Sequence, residues 1–330
     1  MVFVTGGTGF LGAYIIKNLV EKNIPVRALC RSVRLPHFIP AAVFEKVEWV
    51  QGDVLDVVLL HDALQGMDGV IHAAAVVSYN AADRRQMYQT NVDGTANMVN
   101  AAIEAGVKRF VHISSIAALG RSAKAEKITE EHAWEENKTN THYGITKHLA
   151  EMEVWRGFAE GLQGAMLNPS MILGFGNWDE TSCVLFKNVY DGFPWYTTGV
   201  NGFVGVEDVA EAAVQLLQST VHQKRLIASA ANCTFQAIFD AIAKGLGKKG
   251  PHLKATPFLA ELAWRTERLK AVFTGSNPVL SKESARVAQL KTSYDNSALL
   301  QALPQFSFTP VQQVIEEACA RYLIAARAAK

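Results

Sequence analysis

Thr5-Gly6-Gly7-Thr8-Gly9-Phe10-Leu11-Gly12 directly follows a short apolar run, Val2–Val4, and leads into an amphipathic stretch, Phe10–Lys22. The glycines are spaced GxxGxxG. Gly6 permits a tight turn, Gly9 lets the backbone approach a pyrophosphate, and Gly12 allows close helix–strand packing. The helix N-terminus adds unpaired N–H donors for the phosphates. A glycine-rich loop with no ligand is the bland alternative. Standing at the first strand–helix junction of an alternating chain, the stretch reads instead as a dinucleotide cradle, with Gly6, Thr8, Gly9, Phe10, Leu11 and Gly12 around the cofactor.

The alternation extends outward from that loop. Val2–Val4, Pro25–Leu29, Val47–Val50, Gly69–Ala73 and Arg109–Ile113 are short, apolar and flanked by turn residues, as buried strands are. Gly164–Leu167 reads as a sixth strand. Between them Phe10–Lys22, Asp56–Gln65, Arg84–Ala105 and Tyr143–Ala159 read as helices. The pattern predicts an α/β fold: a doubly wound, Rossmann-type parallel sheet with helices on both faces. Residues 1–173 are expected to form this domain, with 204–228 returning to it through the helix Val206–Gln218. Residues 174–203 carry eight aromatics: Phe175, Trp178, Phe186, Tyr190, Phe193, Trp195, Tyr196 and Phe203. With 229–330 they are expected to form a smaller, mostly helical substrate-binding lobe, punctuated at Gly250-Pro251 and Ser276-Asn277-Pro278.

Composition narrows the functions. The 330 residues are 49% hydrophobic and 19% charged, enough to bury a core and too apolar for a disordered chain. Thirty-two basic residues against thirty-one acidic ones give a net charge of +1, so no global field draws in nucleic acid. Cys30, Cys183, Cys233 and Cys319 form no CxxC pair, which argues against a disulfide scaffold or zinc cage and fits a reducing cytoplasm. No run reaches the roughly 18–20 apolar residues that span a bilayer. Glycines interrupt the first apolar stretch and no basic region precedes it, so no signal peptide is read and a cytoplasmic protein without a membrane partner is expected. No histidine pair has metal-ligand spacing; His72, inside an apolar strand, reads as a satisfied core histidine.

The residues ending the second strand read the cofactor's 2′ position. NAD-selective sites usually place an acid about 20 residues past the glycines. None occurs here between Glu21 and Glu45. Arg31 and Ser32 suit a 2′-phosphate instead, Arg31 through a charge-assisted fork, with Arg27 or Arg34 as helpers. NADP(H) is therefore expected over NAD(H). Asp53, beside Val54, either accepts from the adenine amino group or caps the following helix. Ala73, Ala74 and Ala75 are small enough for a ribose to lie against, or for tight backbone packing.

Tyr143 and Lys147 stand four residues apart at the start of a helix, on one face. A phenol is a poor acid–base group at neutral pH, and a nearby ammonium favours its ionised form. Lys147 could also reach ribose hydroxyls. Ser115 ends the fifth strand, after Ile113 and Ser114, and would face the crevice beyond the carboxyl ends of the strands. Its hydroxyl could hold the oxygen that gains charge as hydride arrives. YxxxK alone is weak; 28 residues past a strand-end Ser-Ser, in a chain with the glycine loop, it is strong.

TGGTGFLG, VIHAAA, NVDGT, HISS, YGITK and NPSMILG occur in order from residue 2 to about 210. Together they resemble the extended short-chain dehydrogenase/reductases, the NAD(P)-dependent epimerase/dehydratase family. The Val26–Arg31 strand and the Ser114–Gly120 run most resemble its dihydroflavonol 4-reductase-like branch. The resemblance implies that Tyr143 is the acid–base residue, Lys147 its partner and Ser115 the carbonyl polariser. It places Asn91 at a bend of the active-site helix, supporting a water relay or simply bonding backbone. It sets Pro169 and Met171 beside the nicotinamide, with Ile113 and Ser114 also on the cofactor. Ser78, Ser115, Tyr143, Asn168, Trp178 and Tyr196 are expected to line the substrate site. His142 and Gly144 depart from the pattern without removing a catalytic group.

The expectation is an NADPH-dependent reductase of a ketone or aldehyde on a small, apolar or ring-bearing substrate. A nucleotide-sugar epimerase or dehydratase with bound NAD is the alternative, kept alive by Arg265, Arg268 and Arg286. A silent dinucleotide sensor would typically lack the Tyr–Lys pair. A homodimer is expected through the helices Arg84–Ala105 and Tyr143–Ala159, with Met98, Ala102, Leu149, Met152 and Phe158 either on that face or on the sheet.

Overall fold

The structure is a computed structural model that describes all residues except 33, 121–126, 138, 257, 260, 262–263, 267–281 and 329–330. Arg268 and Ser276-Asn277-Pro278 lie outside the described residues. Seven strands form one wholly parallel sheet: β1 Val2–Thr5, β2 Val26–Cys30, β3 Val47–Gln51, β4 Gly69–His72, β5 Arg109–Ile113, β6 Gly164–Pro169 and β10 Lys224–Ala228. Their order is β10-β6-β5-β4-β1-β2-β3. Consecutive strands walk outward from β1 in one direction, then from β4 in the other. The order reverses between β1 and β4, which opens a crevice at their carboxyl ends.

Each strand of the sheet's centre is buried on both faces, which is why it reads as a continuous apolar run. On one face α1 (Phe10–Glu21) and α8 (Val206–Gln218) pack together, their Ile15, Ile16, Leu19, Val209 and Ala213 wholly buried. On the other lie α3 (Val57–Ala63), α5 (Gly94–Glu104) and α6 (His142–Ala159), around Phe3, Val70, Phe110 and Val154. Thr141 caps α6, its Oγ1 accepting from Gly144 N at 3.0 Å.

The expected helix Arg84–Ala105 is present but carries a π-turn. It consists of α4 (Arg84–Tyr88), a π-turn at Gln89–Asp93 and then α5. Met98 and Ala102 are fully buried and Phe158 is 2% exposed, so these three face the chain's own core rather than a partner. Leu149 is half-buried and Met152 exposed.

Past Pro169 short strands appear that the expectation of a mostly helical lobe did not contain. β7 (Met171–Leu173), β9 (Val200–Gly205) and β11 (Ala231–Thr234) form one sheet; β8 (Trp195–Tyr196) pairs with β12 (Leu253–Lys254). They pack with α7 (Val184–Tyr190), α9 (Phe235–Leu246) and the helix Val311–Ala328. The aromatics of 174–203 supply much of this core. Phe186 and Phe203 are wholly buried, and Phe175, Trp178 and Phe186 all contact the buried Tyr322 ring.

Candidate active site

The glycine loop sits at the crevice. Gly6 takes φ +72°, and a Cβ there would lie 2.8 Å from the backbone of Ala73 and Ala74. A Cβ at Gly12 would come within 2.0 Å of the Gly6 carbonyl oxygen. Both positions therefore require glycine. Thr5 Oγ1 accepts from Ala73 N at 3.2 Å and Ala74 N at 3.1 Å, binding the turn after β1 to the loop after β4. The backbone of Ala73 and Ala74 thus packs closely on the glycine turn, and Ala75 stands exposed. No side chain caps α1 at Gly9, so its first-turn N–H groups remain available to an anion. The cradle fits a dinucleotide pyrophosphate. Phe10 is turned into packing, edge-on to Tyr14 and Phe38 at 5.9 and 6.1 Å between ring centroids. Thr8 and Leu11 are half-buried.

Arg31 and Ser32 stand exposed at the end of β2. Arg27 is committed elsewhere, to Glu48 at 2.9 Å and the Ala63 carbonyl at 2.8 Å. Asp56, not Asp53, caps α3, accepting from Leu59 N at 3.0 Å. The half-buried Asp53 accepts from Leu55 N at 3.1 Å, while Val54 is buried with its carbonyl held by Asn97.

Across the crevice, the Tyr143 hydroxyl faces the Ser115 hydroxyl. Burial pushes the phenol above its ordinary range; the hydrogen-bonding influence of Ser115, which favours the ionised phenol, opposes this and the nearby Tyr79 adds to it. Ser115 Oγ also accepts from Ala117 N at 3.1 Å, which fixes the hydroxyl at the start of a 3₁₀ turn, Ile116–Leu119. Lys147 is buried beneath them. Its Nζ donates to the Ile113 carbonyl at 2.9 Å and lies 3.3 Å from His112 Nε2. These bonds run under the phenol rather than to it, a departure from simple convergence of the pair. Burial lowers the ammonium to about 8, opposed by the charge of Glu151.

Several expected ligand residues prove to be supports. Ser114 Oγ donates to Glu151 at 2.5 Å. Asn168 is wholly buried, and its Nδ2 donates to Glu151 at 2.5 Å and to the Ser115 carbonyl at 2.9 Å, so it stands behind the site rather than lining it. Asn91 lies in the π-turn; Oδ1 accepts from Val76 N at 2.7 Å, and Nδ2 donates to Val76 O at 2.9 Å and Thr146 Oγ1 at 3.0 Å. Its described bonds are structural, pinning the loop after β4 to α6. Ser78 donates to Asp83 at 2.6 Å. Trp178 packs on Tyr190 and Tyr322 at 5.2 and 4.3 Å, and Tyr196 lies half-buried on β8. Pro169 ends β6 and Met171 opens β7. His72 is wholly buried with both ring nitrogens engaged: Nδ1 lies 2.7 Å from Thr5 Oγ1 and Nε2 lies 3.0 Å from Thr95 Oγ1. No cluster of three metal-ligating side chains occurs among the described residues.

Sequence reading missed Tyr79 and Glu151. Neither carries a local signal beyond Glu151's place two helical turns past Tyr143. A cavity of about 580 Å³ lies away from this chemistry, at the β10 edge, between Trp134, His148, Met152, Trp155 and Arg225. It contains none of Ser115, Tyr143 or Lys147, so we assign the reaction to the crevice.

Residues 2–228 match the NAD dependent epimerase/dehydratase family. The chain belongs to that family. It is accordingly an NAD(P)-dependent oxidoreductase of the extended short-chain type. It is 30% identical over 328 residues to the "Putative dihydroflavonol 4-reductase" of Synechocystis sp., covering 96% of this chain and 92% of that one. It is also 30% identical to cinnamoyl-CoA reductase 1 of Petunia hybrida, over 66% of this chain and 69% of the relative. The crystal structure of gox2253 superposes with a TM-score of 0.83 at 26% identity, covering 99% of both chains. Among the described residues no helix is long and apolar enough to cross a membrane.

Proposed function

We propose that this family member is an NADPH-dependent reductase of a ketone or aldehyde on a small, apolar or ring-bearing substrate. The observation that carries the reading is the meeting of the Tyr143 phenol with Ser115 at the carboxyl end of β5, with the Lys147 ammonium buried against the Ile113 carbonyl. When bound, the reduced nicotinamide supplies a hydride. Ser115 holds the substrate oxygen and Tyr143 supplies the proton. Tyr143 enters the reaction protonated, the state that a proton donor in reduction requires. The ammonium of Lys147 steadies negative charge on the phenol oxygen once the proton has left.

The preference for NADPH rests on the exposed Arg31 and Ser32 and on the missing acid. The substrate class rests on Tyr79 beside the phenol and on the pairing of two described cations, Lys187 and Arg265. Lys187 pairs with Asp191 at 2.6 Å and Arg265 with Glu261 at 2.9 Å, which weakens the nucleotide-sugar alternative. Two relatives named as reductases favour the same chemistry. Side-by-side binding of NADPH and NADH, then turnover on an aryl ketone, an aliphatic aldehyde and a UDP-sugar, tests it. NADPH oxidation with a carbonyl substrate is expected. Turnover of the UDP-sugar alone, without net change in nicotinamide absorbance, would establish the epimerase instead.

A further inference from the structure

Tyr143, Lys147 and Glu151 recur every fourth residue, so one stripe of α6 faces the ends of β5 and β6. Two of them belong to the proposed reaction. The third is a wholly buried carboxylate. Burying an ionised group is costly unless donors satisfy it, and here the donors come from active-site segments. Oε1 accepts from Ser114 Oγ and from Asn168 Nδ2, each at 2.5 Å, and Oε2 pairs with Arg225 Nη1 at 3.2 Å. The same Asn168 Nδ2 reaches the Ser115 carbonyl at 2.9 Å.

We propose that Glu151 is a positioning residue for the reaction: its carboxylate clamps Ser114 directly and Ser115 through Asn168, and it stands one turn of α6 beyond Lys147. The inference rests on the assignment of Ser115, Tyr143 and Lys147 to the chemistry.

The residues ending β5 are thus held from α6 one after another. Lys147 takes His112 and the Ile113 carbonyl, Glu151 takes Ser114, and the amide it steadies takes Ser115. The hydroxyl that meets Tyr143 sits at the end of this run. The charges facing Lys147 are few. His112 and His72 face it from β5 and β4, and burial holds both rings neutral. On its own helix stand Tyr143, a neutral phenol, and Glu151, whose field opposes the cost of burying the ammonium. Glu151 is faced in turn by Arg225 from β10, which also donates to the Glu130 and His132 carbonyls, and by the neighbouring His148. Removing the carboxylate's charge and removing its guanidinium partner therefore have opposite effects on Lys147.

That opposition supplies the test. Glu151→Gln keeps the shape of the side chain and deletes its charge. The Lys147 titration, followed by NMR on lysine labelled with ¹³C at Cε and assigned by its loss in Lys147→Met, should move down by about one pH unit. In turnover with NADPH and a carbonyl substrate, the alkaline limb of kcat should move down with it. At neutral pH kcat should fall about tenfold, more than KM changes, as the Ser115 tether loosens. Arg225→Met should move the Lys147 titration upward, and Glu151→Asp should restore the wild-type limb. A folded Glu151→Gln protein with an unmoved Lys147 titration would overturn the inference. If that variant does not fold, an unmoved titration in Arg225→Met would overturn it equally. A titration that shifts while the rate profile stays fixed would leave the charge coupling intact and refute the role given to Lys147 in the reaction.

Discussion

At Tyr143 the hydroxyl faces Ser115 and enters the reaction protonated. Tyr143→Phe retains the ring and its packing, so turnover should drop by about 10²–10⁴-fold with little change in NADPH affinity. Near-normal turnover would pass the proton to water or to His142, which lies half-buried beside Glu283. Ser115→Ala should cost roughly 10²–10³-fold, comparable with losing one oxyanion donor. The cofactor's 2′ end makes a separate claim. Arg31→Ala should weaken NADPH binding about ten- to a hundred-fold and leave NADH nearly unchanged, since one charge-assisted phosphate contact is lost. Equal losses for both cofactors in a fluorescence titration would remove Arg31 from the phosphate site.

The elements show what the sequence could disclose. Glycine spacing, apolar runs and the YxxxK spacing report local needs, so the glycine turn, the parallel sheet and the placing of Ser115 after β5 and of Tyr143 and Lys147 at the start of α6 were legible in it. The π-turn was not. Each residue inserted into a helix rotates the downstream turns by roughly 100°. A helical wheel drawn straight through 84–105 therefore carries the wrong phase across Gln89–Asp93, the stretch that precedes Met98 and Ala102. Partners distant in sequence were equally invisible. Glu151 meets Arg225 and Asn168 only once β6 and β10 are paired. Gly144 looks like a weak point in α6, yet a Cβ there would lie 2.8 Å from the Ala117 carbonyl oxygen. Gly144→Ala should therefore destabilise the protein, although alanine is the better helix former by about 1 kcal/mol. Urea unfolding that shows a gain in stability would mean the Ile116–Leu119 turn yields freely.

For the whole molecule, two fully buried imidazoles tie stability to acid. Burial lowers His72 from its ordinary 6.5 to about 3, and His112 falls well below 6.5. Below pH 6.5 the unfolded chain binds protons that the folded one refuses. The stability these rings contribute is complete above that pH and declines as pH falls toward their folded values, by up to about 1.4 kcal/mol per pH unit for each ring. Denaturation midpoints that stay flat between pH 7 and pH 5 would show that the rings ionise in place. Association is the other property of this scale. Tyr88 on α4 and Ile145 and Met152 on α6 expose 47%, 37% and 41% of their surface, while Met98 and Ala102 turn inward. Light scattering should give twice the 36.0 kDa chain mass, and Ile145→Lys with Met152→Lys should return it to the monomer value.

The bonds around His72 also fix where one particular hydrogen resides. The Thr95 hydroxyl spends its hydrogen on the Asn91 carbonyl at 2.6 Å. Nε2 of the ring must then carry the hydrogen of its bond to Thr95, leaving Nδ1 bare. The Thr5 hydroxyl points its own hydrogen at Nδ1, which frees its lone pairs for the amides of Ala73 and Ala74. A single tautomer satisfies every group from the glycine turn to the helix bend, and flipping the ring would orphan several of them at once. The Nε2 hydrogen should accordingly appear in water as a downfield, slowly exchanging NMR resonance. It would serve as a spectroscopic tag for the interior of the crevice, one that needs neither substrate nor turnover to be read.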